Sequence, residues 1–559
     1  MRSESWDLLV VGGGITGATI MREAARRGLR VLLVEQHDFA AGTSSRSSKL
    51  IHGGLHYLAR RQVGLSRTLV HERERLLHTA EGLVEPVEFL VPLFSGDRLR
   101  RWGVGAGICL YEAFAGRLRV PHHLDRAGLD QRLVGLAPDV VGAIAFSEAT
   151  VDDARLVIRT LSEGRRLGGY ALNYVAATGL LRDRCGRIVG AVLRDQRRDA
   201  TLELHARAVV NATGAWSDGF RGQTIRADGV RLVRGSHLVF PKDRLPVDCA
   251  VAVRHPESGE AFSAVPWEGA TIVGSTSVDH DGTVPDDPRP SEAELAYLLR
   301  GARWLFPSLD LDWPDILAVF AGIRAITDRT TREAPRASRD FAVRADDGMW
   351  TVVGGKLSTA RSAANEALDA IFGPARRQPT ERSDQGIARW EGGAFDQETA
   401  HRLVARYGLD GLEAISTMRP DERCPIPGHR VLWAELRWSA RREDVRHLSD
   451  LLLRRVRLGV TSAGGGACLL EAIRPIVQEE LAWDDDRWER EVRSYLDDWH
   501  HTYGATTPVV SPVKIDASST TDPCADADTW GPSPGHADQQ HRLPHSRLAQ
   551  GDVPPPRRP

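Results

Sequence analysis

The chain opens with two apolar runs separated by a glycine-rich turn and a segment of helical composition. The first run, 6–11, contains one polar residue, Asp7, and such runs are typical of strands buried on both faces. Residues 15–27 have helical composition and end at Gly28, a common helix stop. A second apolar run, 30–34, follows. This order predicts a β-α-β unit at the start of an α/β domain.

Later segments of the chain repeat this alternation, with strand-rich insertions between them. The predicted elements are strands over 171–213 with a turn at 183–186 and a final buried strand at 208–212, strands at 232–233, 237–240 and 271–274, a helix over 292–306, and a strand at 350–353 followed by a helix over 357–371. Segments of nucleotide-binding type, 1–60, 205–218 and 350–371, are therefore separated by insertions. This arrangement predicts one cofactor domain interleaved with a second domain.

The C-terminal third differs in composition. Residues 396–504 are rich in Leu, Arg, Glu and Trp at helical spacing, whereas 505–559 hold ten of the thirty prolines. We predict an α/β fold with a Rossmann-like cofactor domain, a mixed α+β substrate domain, an all-helical C-terminal domain and a disordered tail. The expected bounds are 1–80, 145–230 and 345–380 for the cofactor domain, 81–144 and 231–344 for the substrate domain, 385–504 for the helical domain and 505–559 for the tail.

Composition narrows the class of protein. Of the 559 residues, 42% are hydrophobic, which is too many for a chain that is disordered throughout. The 73 Lys and Arg nearly balance the 75 Asp and Glu, which argues against a dedicated nucleic-acid-binding protein. The six cysteines are scattered and form no C-x-x-C pair, which argues against a zinc knuckle, a redox dithiol or a disulfide scaffold. We expect no metal site and a reducing compartment.

Arginine is the usual cation of this chain, because four of the 73 basic residues are lysines: Lys49, Lys242, Lys356 and Lys514. A lysine at a suggestive position is therefore more informative than an arginine.

The N-terminal residues show no secretory signal, and no apolar run approaches the ~20 residues that span a bilayer. We expect a cytoplasmic protein, with the inner face of the cell membrane as an alternative location. The most apolar stretch, 102–111, follows three arginines. For 102–114, an amphipathic anchor at a membrane surface and a buried helix of the substrate domain both stay open.

Gly12, Gly14 and Gly17 form G-x-G-x-x-G between the first strand and the first helix. In that order, they permit a tight turn, approach of a pyrophosphate to the backbone, and close helix–strand packing. The phosphates would lie at the helix N-terminus, where free N–H groups favour anions. Glu35 follows 18 residues after Gly17, where a carboxylate accepts hydrogen bonds from an unphosphorylated adenosine ribose. A glycine-rich turn with a solvated Glu35 is the alternative.

Three further segments favour FAD over NAD. Residues 42–54 combine hydroxyl groups and glycines with Lys49 and His52. Residues 211–216, N-A-T-G-A-W, follow a buried strand, where backbone can contact an adenine or a pyrophosphate. Residues 354–359, G-G-K-L-S-T, form a strand-to-helix turn whose N-terminus would stabilise negative charge on a reduced flavin. Each segment alone could be an ordinary turn, but together with the glycine motif they predict an FAD-binding domain.

The residues that we expect to bind this cofactor come from these four segments. They are Gly12, Gly14, Ile15, Thr16, Gly17, Glu35, Thr43, Ser44, Ser45, Ser48, Lys49, Leu50, His52, Asn211, Thr213, Gly214, Trp216, Gly355, Lys356, Leu357, Ser358 and Thr359.

Several motifs resemble those of FAD-dependent, aerobic-type glycerol-3-phosphate dehydrogenases, a family of the glycine-oxidase-like flavoproteins. They are S-S-K-L-I-H-G-G-L-H-Y-L at 47–58, V-D-D-A-R-L at 151–156, R-G-S-H at 234–237, G-I-R at 322–324, S-R-D at 338–340 and G-G-K at 354–356. The resemblance covers about 5–375 and extends more loosely into the helical domain at 435–438 and 444–453.

This resemblance implies oxidation of glycerol 3-phosphate to dihydroxyacetone phosphate by hydride transfer to the flavin. The electrons would pass to quinone or another acceptor such as oxygen, and relatives lie on a membrane surface. Nucleic acid is not an expected partner, and the oligomeric state stays open, a homodimer included.

The reaction needs a hydride acceptor, a base for the hydroxyl proton and cations for the phosphate. His52, flanked by Gly53, is the preferred base because imidazole titrates near neutral pH, and His237 is the second choice. Structural histidines are the alternative for both.

Arg324 and Arg339 match family positions for phosphate, which guanidinium groups bind through two N–H donors. Lys356, a scarce lysine inside a glycine turn, is expected near the substrate oxygens or the flavin ring. Lys49 is interpreted in the same way.

The resemblance also assigns His56 and Tyr57 to the site. The family usually has arginine before this tyrosine, and Ser277 stands where aspartate is common. Histidine is only partly charged at pH 7, so His56 would bind a phosphate less strongly than arginine does. A flavin oxidoreductase that acts on another hydroxy acid or on an amine is therefore an alternative function. A non-catalytic flavin-binding protein is a further alternative. Residues 151–156 are expected to support the structure, with Asp152 capping a helix.

Overall fold

The computed structural model describes residues 6–59, 62–96, 98–116, 122–220, 230–327, 340–375 and 394–505, without the side chains of 56, 59 and 98–102. These residues belong to one compact unit, Met1–Thr507, and Pro508–Pro559 is a second unit. Apart from Ala505, the predicted tail lies outside the described residues.

Most strands of the described residues are long and buried, and they belong to two sheets. In chain order they are β1 (Trp6–Val11), β2 (Val31–Val34), β3 (Leu50–Ile51), β4 (Val84–Phe94), β5 (His122–Asp125), β6 (Val140–Val151), β7 (Tyr170–Leu172), β8 (Val175–Arg182), β9 (Ile188–Asp195), β10 (Ala200–Asn211), β11 (Arg231–Pro241), β12 (Ala250–Arg254), β13 (Ala261–Trp267), β14 (Ala270–Gly274), β15 (Val278–Asp279), β16 (Ala318–Ile326), β17 (Phe341–Asp346) and β18 (Met349–Gly354).

The helices of the described residues range from 3 to 20 residues in length. They are α1 (Ile15–Arg26), α2 (Leu55–Ala59), α3 (Val63–Thr79), α4 (Arg98–Phe114), α5 (Arg126–Asp130), α6 (Asp153–Arg166), α7 (Ser217–Phe220), α8 (Glu292–Leu305), α9 (Ala360–Phe372), α10 (Gln397–Ser416), α11 (Trp433–Arg442), α12 (Leu448–Asp450), α13 (Leu458–Thr461), α14 (Leu470–Leu481) and α15 (Asp485–Thr502). The helix α10 changes direction at Gly408, and a π-helical turn, Leu451–Arg455, follows α12.

The first sheet has the order β17-β18-β10-β1-β2-β7, with β9 and β8 continuing from β10. Its central strands β18, β10, β1, β2 and β7 are parallel, and the helices α1, α6 and α9 pack together on one face. The carboxyl ends of β1 and β10 are adjacent, because Val11 is in register with Asn211. Ligands of such sheets bind at the carboxyl ends of the strands, so this edge is the expected cofactor site.

The second sheet has the order β15-β11-β14-β13-β12-β4-β6-β3, and β16 pairs with β11. One face covers a core with α5 and α8, while Val239, Ile272 and Phe320 on the other face pack against the C-terminal helices. The helical region is thus attached directly to the sheet.

The structure confirms the predicted fold class of an α/β protein with a C-terminal helical region. The predicted helices 15–27 and 292–306 each end one residue earlier, at Arg26 and Leu305. The predicted break between 232–233 and 237–240 does not exist, because β11 runs through Gly235, which pairs with Gly322. The domain bounds stay a prediction.

Candidate active site

The turn between β1 and α1 leaves no room for side chains. A Cβ on Gly12, whose φ is +112°, would lie 2.6 Å from the Ala212 oxygen, and one on Gly17 would lie 1.9 Å from the Gly12 oxygen. The first turn of α1 carries no acidic residue, so the positive end of its dipole is available to an anion. These features fit the pyrophosphate of a dinucleotide.

Glu35 lies directly beside this turn. Its two carboxylate oxygens accept the Gly13 N–H at 2.6 Å and the His37 N–H at 2.9 Å. Burial raises the pKa of the Glu35 carboxyl, while the two backbone donors oppose that shift. A carboxylate has about four acceptor positions, so the oxygens can also accept ribose hydroxyl groups.

The segment 42–48 borders the same turn. Ser44 Oγ accepts the Ile15 N–H at 3.0 Å, and Thr43 Oγ1 donates to the Ile323 carbonyl at 2.5 Å. The Trp216 ring packs against Gly42, where a Cβ would lie 2.9 Å from the ring. The buried Trp216 Nε1 has no hydrogen-bond partner among the described residues, which fits a donor to a bound ligand.

Asn211, at the end of β10, forms hydrogen bonds that stabilise the turn of the predicted segment 211–216. Its Oδ1 accepts from the N–H and the hydroxyl of Thr213, at 3.2 and 2.7 Å, and its Nδ2 donates to the Ser217 carbonyl at 3.0 Å. Gly214 has a φ of +60° and begins the 3₁₀ turn Gly214–Trp216. The fully buried Asn211 therefore shapes the turn from within.

The turn after β18 brings Lys356 to His52. Gly354 and Gly355 have φ near +75°, and the Lys356 N–H donates to Thr359 Oγ1 at 2.8 Å. The Lys356 ammonium lies 3.4 Å from His52 Nε2 and 4.5 Å from the centre of the Tyr57 ring. Lys356 thus meets His52 and Tyr57, two residues of one segment about 300 positions earlier in the chain.

His237, the second candidate base, is fully buried on β11. Its ring stacks on Phe320 at 4.7 Å, and its Nε2 lies 2.8 Å from Ser48 Oγ. Burial, followed by the charges of Arg324 and Lys49, lowers the pKa of His237 well below its ordinary value. This imidazole is therefore neutral at physiological pH.

Arg324 lies on β16 and extends across the backbone of β11. A Cβ on Gly235 would lie 2.3 Å from Arg324 Nη2, so a side chain there would displace the guanidinium from this position. The guanidinium makes long contacts, 3.3 Å to Ser275 Oγ and 3.5 Å to the Thr276 oxygen. Arg339 lies outside the described residues, as does the side chain of His56.

The structure places the Lys49 ammonium among protein groups behind the segment 42–48. Its side chain is fully buried, and its ammonium donates to the Ser45 carbonyl at 2.6 Å and to the Asp153 carboxylate at 2.8 Å. Arg457, from the helical region, also reaches the Ser45 carbonyl, at 3.1 Å. Lys49 therefore holds the inner side of the segment 42–48.

Two other predicted residues, Leu50 and Ser358, lie on β3 and in the turn before α9. Leu50 pairs with Thr150 in the second sheet, and Ser358 is buried. Asp152 caps α6 as predicted, since its Oδ1 accepts the Arg155 N–H.

The sequence interpretation missed a buried cluster beneath the loop that carries His52: Ser66, Arg73, Tyr111 and Glu148. No local pattern marks these residues, because they come from α3, α4 and β6. Asp153 lies in the motif 151–156, but its ion pair with Lys49 spans 104 positions.

The described residues contain no helix long and apolar enough to cross a membrane. They also contain no group of three or more His, Cys, Asp or Glu side chains arranged for a metal ion.

Two family models match the chain. The model described as FAD dependent oxidoreductase matches residues 7–364, and that of the C-terminal domain of alpha-glycerophosphate oxidase matches 352–488. The second begins before the predicted helical domain at 385 and ends before 504.

Individual proteins that are similar to this chain point to the same family as the two models. Glycerol-3-phosphate dehydrogenase of Mycobacterium leprae is 32% identical over 526 residues, covering 88% of each chain. Aerobic glycerol-3-phosphate dehydrogenase of Staphylococcus aureus is 28% identical, covering 81% of this chain and 87% of the relative. The crystal structure of glycerol-3-phosphate dehydrogenase from Bacillus halodurans, complexed with FAD, has a TM-score of 0.71 at 26% identity, covering 91% of this chain and 97% of that chain.

The chain belongs to the FAD-dependent glycerol-3-phosphate dehydrogenase family. Its cofactor is FAD, which confirms the prediction from the glycine motif and the three further segments.

Proposed function

We propose that this protein oxidises glycerol 3-phosphate to dihydroxyacetone phosphate. Bound FAD would supply the acceptor for the hydride from the secondary carbon, so the alcohol would lose one hydride, which carries two electrons, and one proton from its hydroxyl group. The protein has to bind the phosphate, accept the hydroxyl proton and exclude water from the reacting carbon.

The contact between Lys356 and His52 carries this proposal. An ammonium can only donate, so its 3.4 Å approach to His52 Nε2 requires that nitrogen to be unprotonated. An imidazole in this state accepts the hydroxyl proton as a general base. Lys356 then faces the oxygen on which negative charge develops, and stabilises that charge. His52 is half-buried, whereas His237 is fully buried against Phe320, which supports His52 as the base.

Arg324 supplies a cationic group for the phosphate in the described part of the chain. The guanidinium of Arg324 lies beside Ser275 and Thr276, and guanidinium groups form short, charge-assisted bonds with a phosphate. The neutral His237, bonded to Ser48, keeps the segment 42–48 against β11 without adding charge.

Anaerobic flavin bleaching tests the reaction. The protein with FAD is mixed separately with glycerol 3-phosphate, lactate and glycine, and flavin absorbance is followed. We expect bleaching by glycerol 3-phosphate. His52→Gln should slow it about 10²- to 10⁴-fold, the usual contribution of a general base. His205→Gln, at an exposed position on β10, is the matched control. Bleaching by lactate or glycine alone would replace the proposed substrate, and no bleaching with FAD still bound would point to a non-catalytic flavoprotein.

We further propose that the electrons pass to a quinone at a membrane surface. The helix α4 buries Ile108, Tyr111 and Glu112 and exposes Cys109 and Leu110, so its outer face is apolar. Helices with such a face bind the interface of a bilayer. Leu110→Glu should therefore reduce co-sedimentation with anionic vesicles and quinone reduction there, while flavin bleaching by glycerol 3-phosphate stays unchanged. If oxygen reoxidises the reduced flavin faster than a short-chain quinone does, the proposal of a quinone acceptor is contradicted.

A further inference from the structure

The backbone that follows His52 is held by buried side chains from two other elements, β6 and α3. The Gly53 N–H donates to Glu148 Oε2 at 3.2 Å. The Ser66 hydroxyl lies 3.2 Å from the Gly53 oxygen and 3.4 Å from the Gly54 oxygen. Hydrogen bonds thus fix the loop on both sides of Gly53.

Two glycines in succession would otherwise leave this loop free to move. Gly54 has a φ of +73°, which favours glycine, and a Cβ on Gly53 would lie 2.3 Å from the Tyr111 hydroxyl. Glycine is therefore needed at both positions, and its freedom has to be removed by external contacts. The orientation of the His52 imidazole depends on these contacts, because His52 is directly bonded to Gly53.

Glu148 is itself oriented by two donors. Tyr111 donates its hydroxyl to Glu148 Oε1 at 2.5 Å, and Arg73 Nη1 donates to Oε2 at 2.8 Å. All three side chains are buried. Burial raises the pKa of the Glu148 carboxyl, and the charge of Arg73 opposes that shift. Arg73 also donates to the Ser147 carbonyl at 2.7 Å, which ties the cluster to β6.

We propose that Glu148, oriented by Arg73 and Tyr111, is a positioning residue that fixes the Gly53–Gly54 backbone and thereby directs the imidazole of His52 toward the reacting hydroxyl. This inference rests on the proposed function for the role of His52. It adds a set of residues that touches neither the substrate nor the reacting atoms, and acts through the loop.

The test uses the full chain with FAD and three variants. Tyr111→Phe removes one donor and leaves both charges, and Glu148→Gln removes the charge. Glu74→Gln is the control, because Glu74 accepts two bonds from the same guanidinium of Arg73, at 3.0 and 2.7 Å. If Glu148→Gln fails to fold because Arg73 loses its buried partner, Tyr111→Phe still decides the question.

Anaerobic stopped-flow reduction by glycerol 3-phosphate gives a limiting rate and a half-saturating concentration. We expect Tyr111→Phe to lower the limiting rate about 10-fold and Glu148→Gln about 10²-fold, since small misplacements of a reacting group have effects of this order. The half-saturating concentration should change less than about twofold, because the phosphate contacts are intact. A change in half-saturation alone, or equal effects of Glu74→Gln, would overturn the inference.

Hydrogen exchange of the peptide that contains Gly53 and Gly54 is measured in parallel and needs no substrate. We expect faster exchange in Tyr111→Phe and Glu148→Gln, and unchanged exchange in Glu74→Gln. Unchanged exchange in all variants refutes the inference even if rates fall. If exchange changes as expected but wild type is not reduced by glycerol 3-phosphate, the proposed substrate is wrong while the backbone contact stands.

Discussion

At the residue scale, Lys49 shows how burial changes the meaning of a scarce residue. Its ammonium contacts Asp153 and lies 4.9 Å from the Phe320 ring and 5.3 Å from the Trp267 ring. Burial, followed by the charge of Arg457, lowers the pKa of Lys49 to about 7, and Asp153 opposes that shift. The ammonium therefore titrates near physiological pH while it holds the Ser45 backbone.

This titration predicts a pH-dependent stability. Between the folded pKa of about 7 and the unfolded pKa of about 10.4, the unfolded chain binds more protons at Lys49 than the folded chain does. The free energy of unfolding should therefore rise with pH across this window, by roughly 1 kcal/mol per pH unit. Two groups that face Lys49 add no titration there, because the charge of Lys49 lowers the pKa of Asp153 and burial holds the pKa of His237 well below the window.

Thermal unfolding from pH 6.5 to 9.5 tests this prediction as a difference between wild type and Lys49→Met. Wild type should gain stability relative to the variant as pH rises. Lys242→Met is the matched control, since Lys242 pairs with Asp248 at the surface. A flat or falling difference would show that Lys49 keeps its proton across this range.

At the scale of elements, the sequence predicts those whose pattern is local. The strand β1 and the helix α1 were found almost to the residue, because buried parallel strands are continuous apolar runs and glycines end them. The glycine motif and the turn before α9 were found for the same reason. The contacts of Lys49 and Glu148 could not be predicted, because their partners are brought close only by the pairing of distant strands.

Long-range ion pairs account for most of what the sequence could not show. Asp38, just after β2, accepts bonds from Arg455 at 2.7 Å, 417 positions away. In a chain with 69 arginines, nothing in the local sequence marks Arg454, Arg455 or Arg457 as partners of the cofactor domain. The structure places these three arginines in and directly after the π-helical turn.

The segment that contains Arg457 joins the helical region to the cofactor loop. Arg457 Nη2 donates to the Ser45 carbonyl at 3.1 Å and to Asp153 at 3.3 Å. Arg457→Met should weaken FAD binding about 10-fold and lower stability by about 2 kcal/mol, as expected for loss of buried hydrogen bonds to a charged group. Flavin fluorescence titration and thermal unfolding measure the two effects.

Arg441→Met is the control for this variant, because Arg441 pairs with Glu480 on the exposed side of the same region. It should leave FAD affinity unchanged. If Arg457→Met lowers stability but leaves FAD affinity as in wild type, the helical region has no part in shaping the cofactor site.

At the scale of the whole molecule, the segment 42–49 is where the two sheets and the helical region meet. Thr43 and Ser48 bond to β16 and β11 of the second sheet, Lys49 bonds to α6 on the first sheet, and Ser45 accepts from Arg457 of the helical region. A change in any of these three parts is therefore transmitted to the cofactor loop. This explains why a helical region distant in sequence belongs to the folded unit that contains the site.

The end of the helical region completes this unit. The Val319 N–H donates to the Tyr503 carbonyl at 2.8 Å, so the residues after α15 pair with the start of β16. Trp499 Nε1 donates to the Gly459 carbonyl at 2.6 Å, and Ala505 packs against the core of the second sheet. Truncation after Thr507 keeps all these contacts, and we expect FAD content, melting temperature and flavin reduction to match the full chain.

Truncation after Ala482 provides the contrast, since it removes α15 and the buried side chains of Trp488, Tyr495 and Trp499. Deleting one large buried aromatic side chain costs about 3–5 kcal/mol, so losing three costs about as much as the whole stability of a typical domain. We expect this shorter chain to be insoluble or free of FAD, as judged by the ratio of flavin to protein absorbance. Loss of flavin already in the chain ending at Thr507 would instead assign residues 508–559 a part in the site.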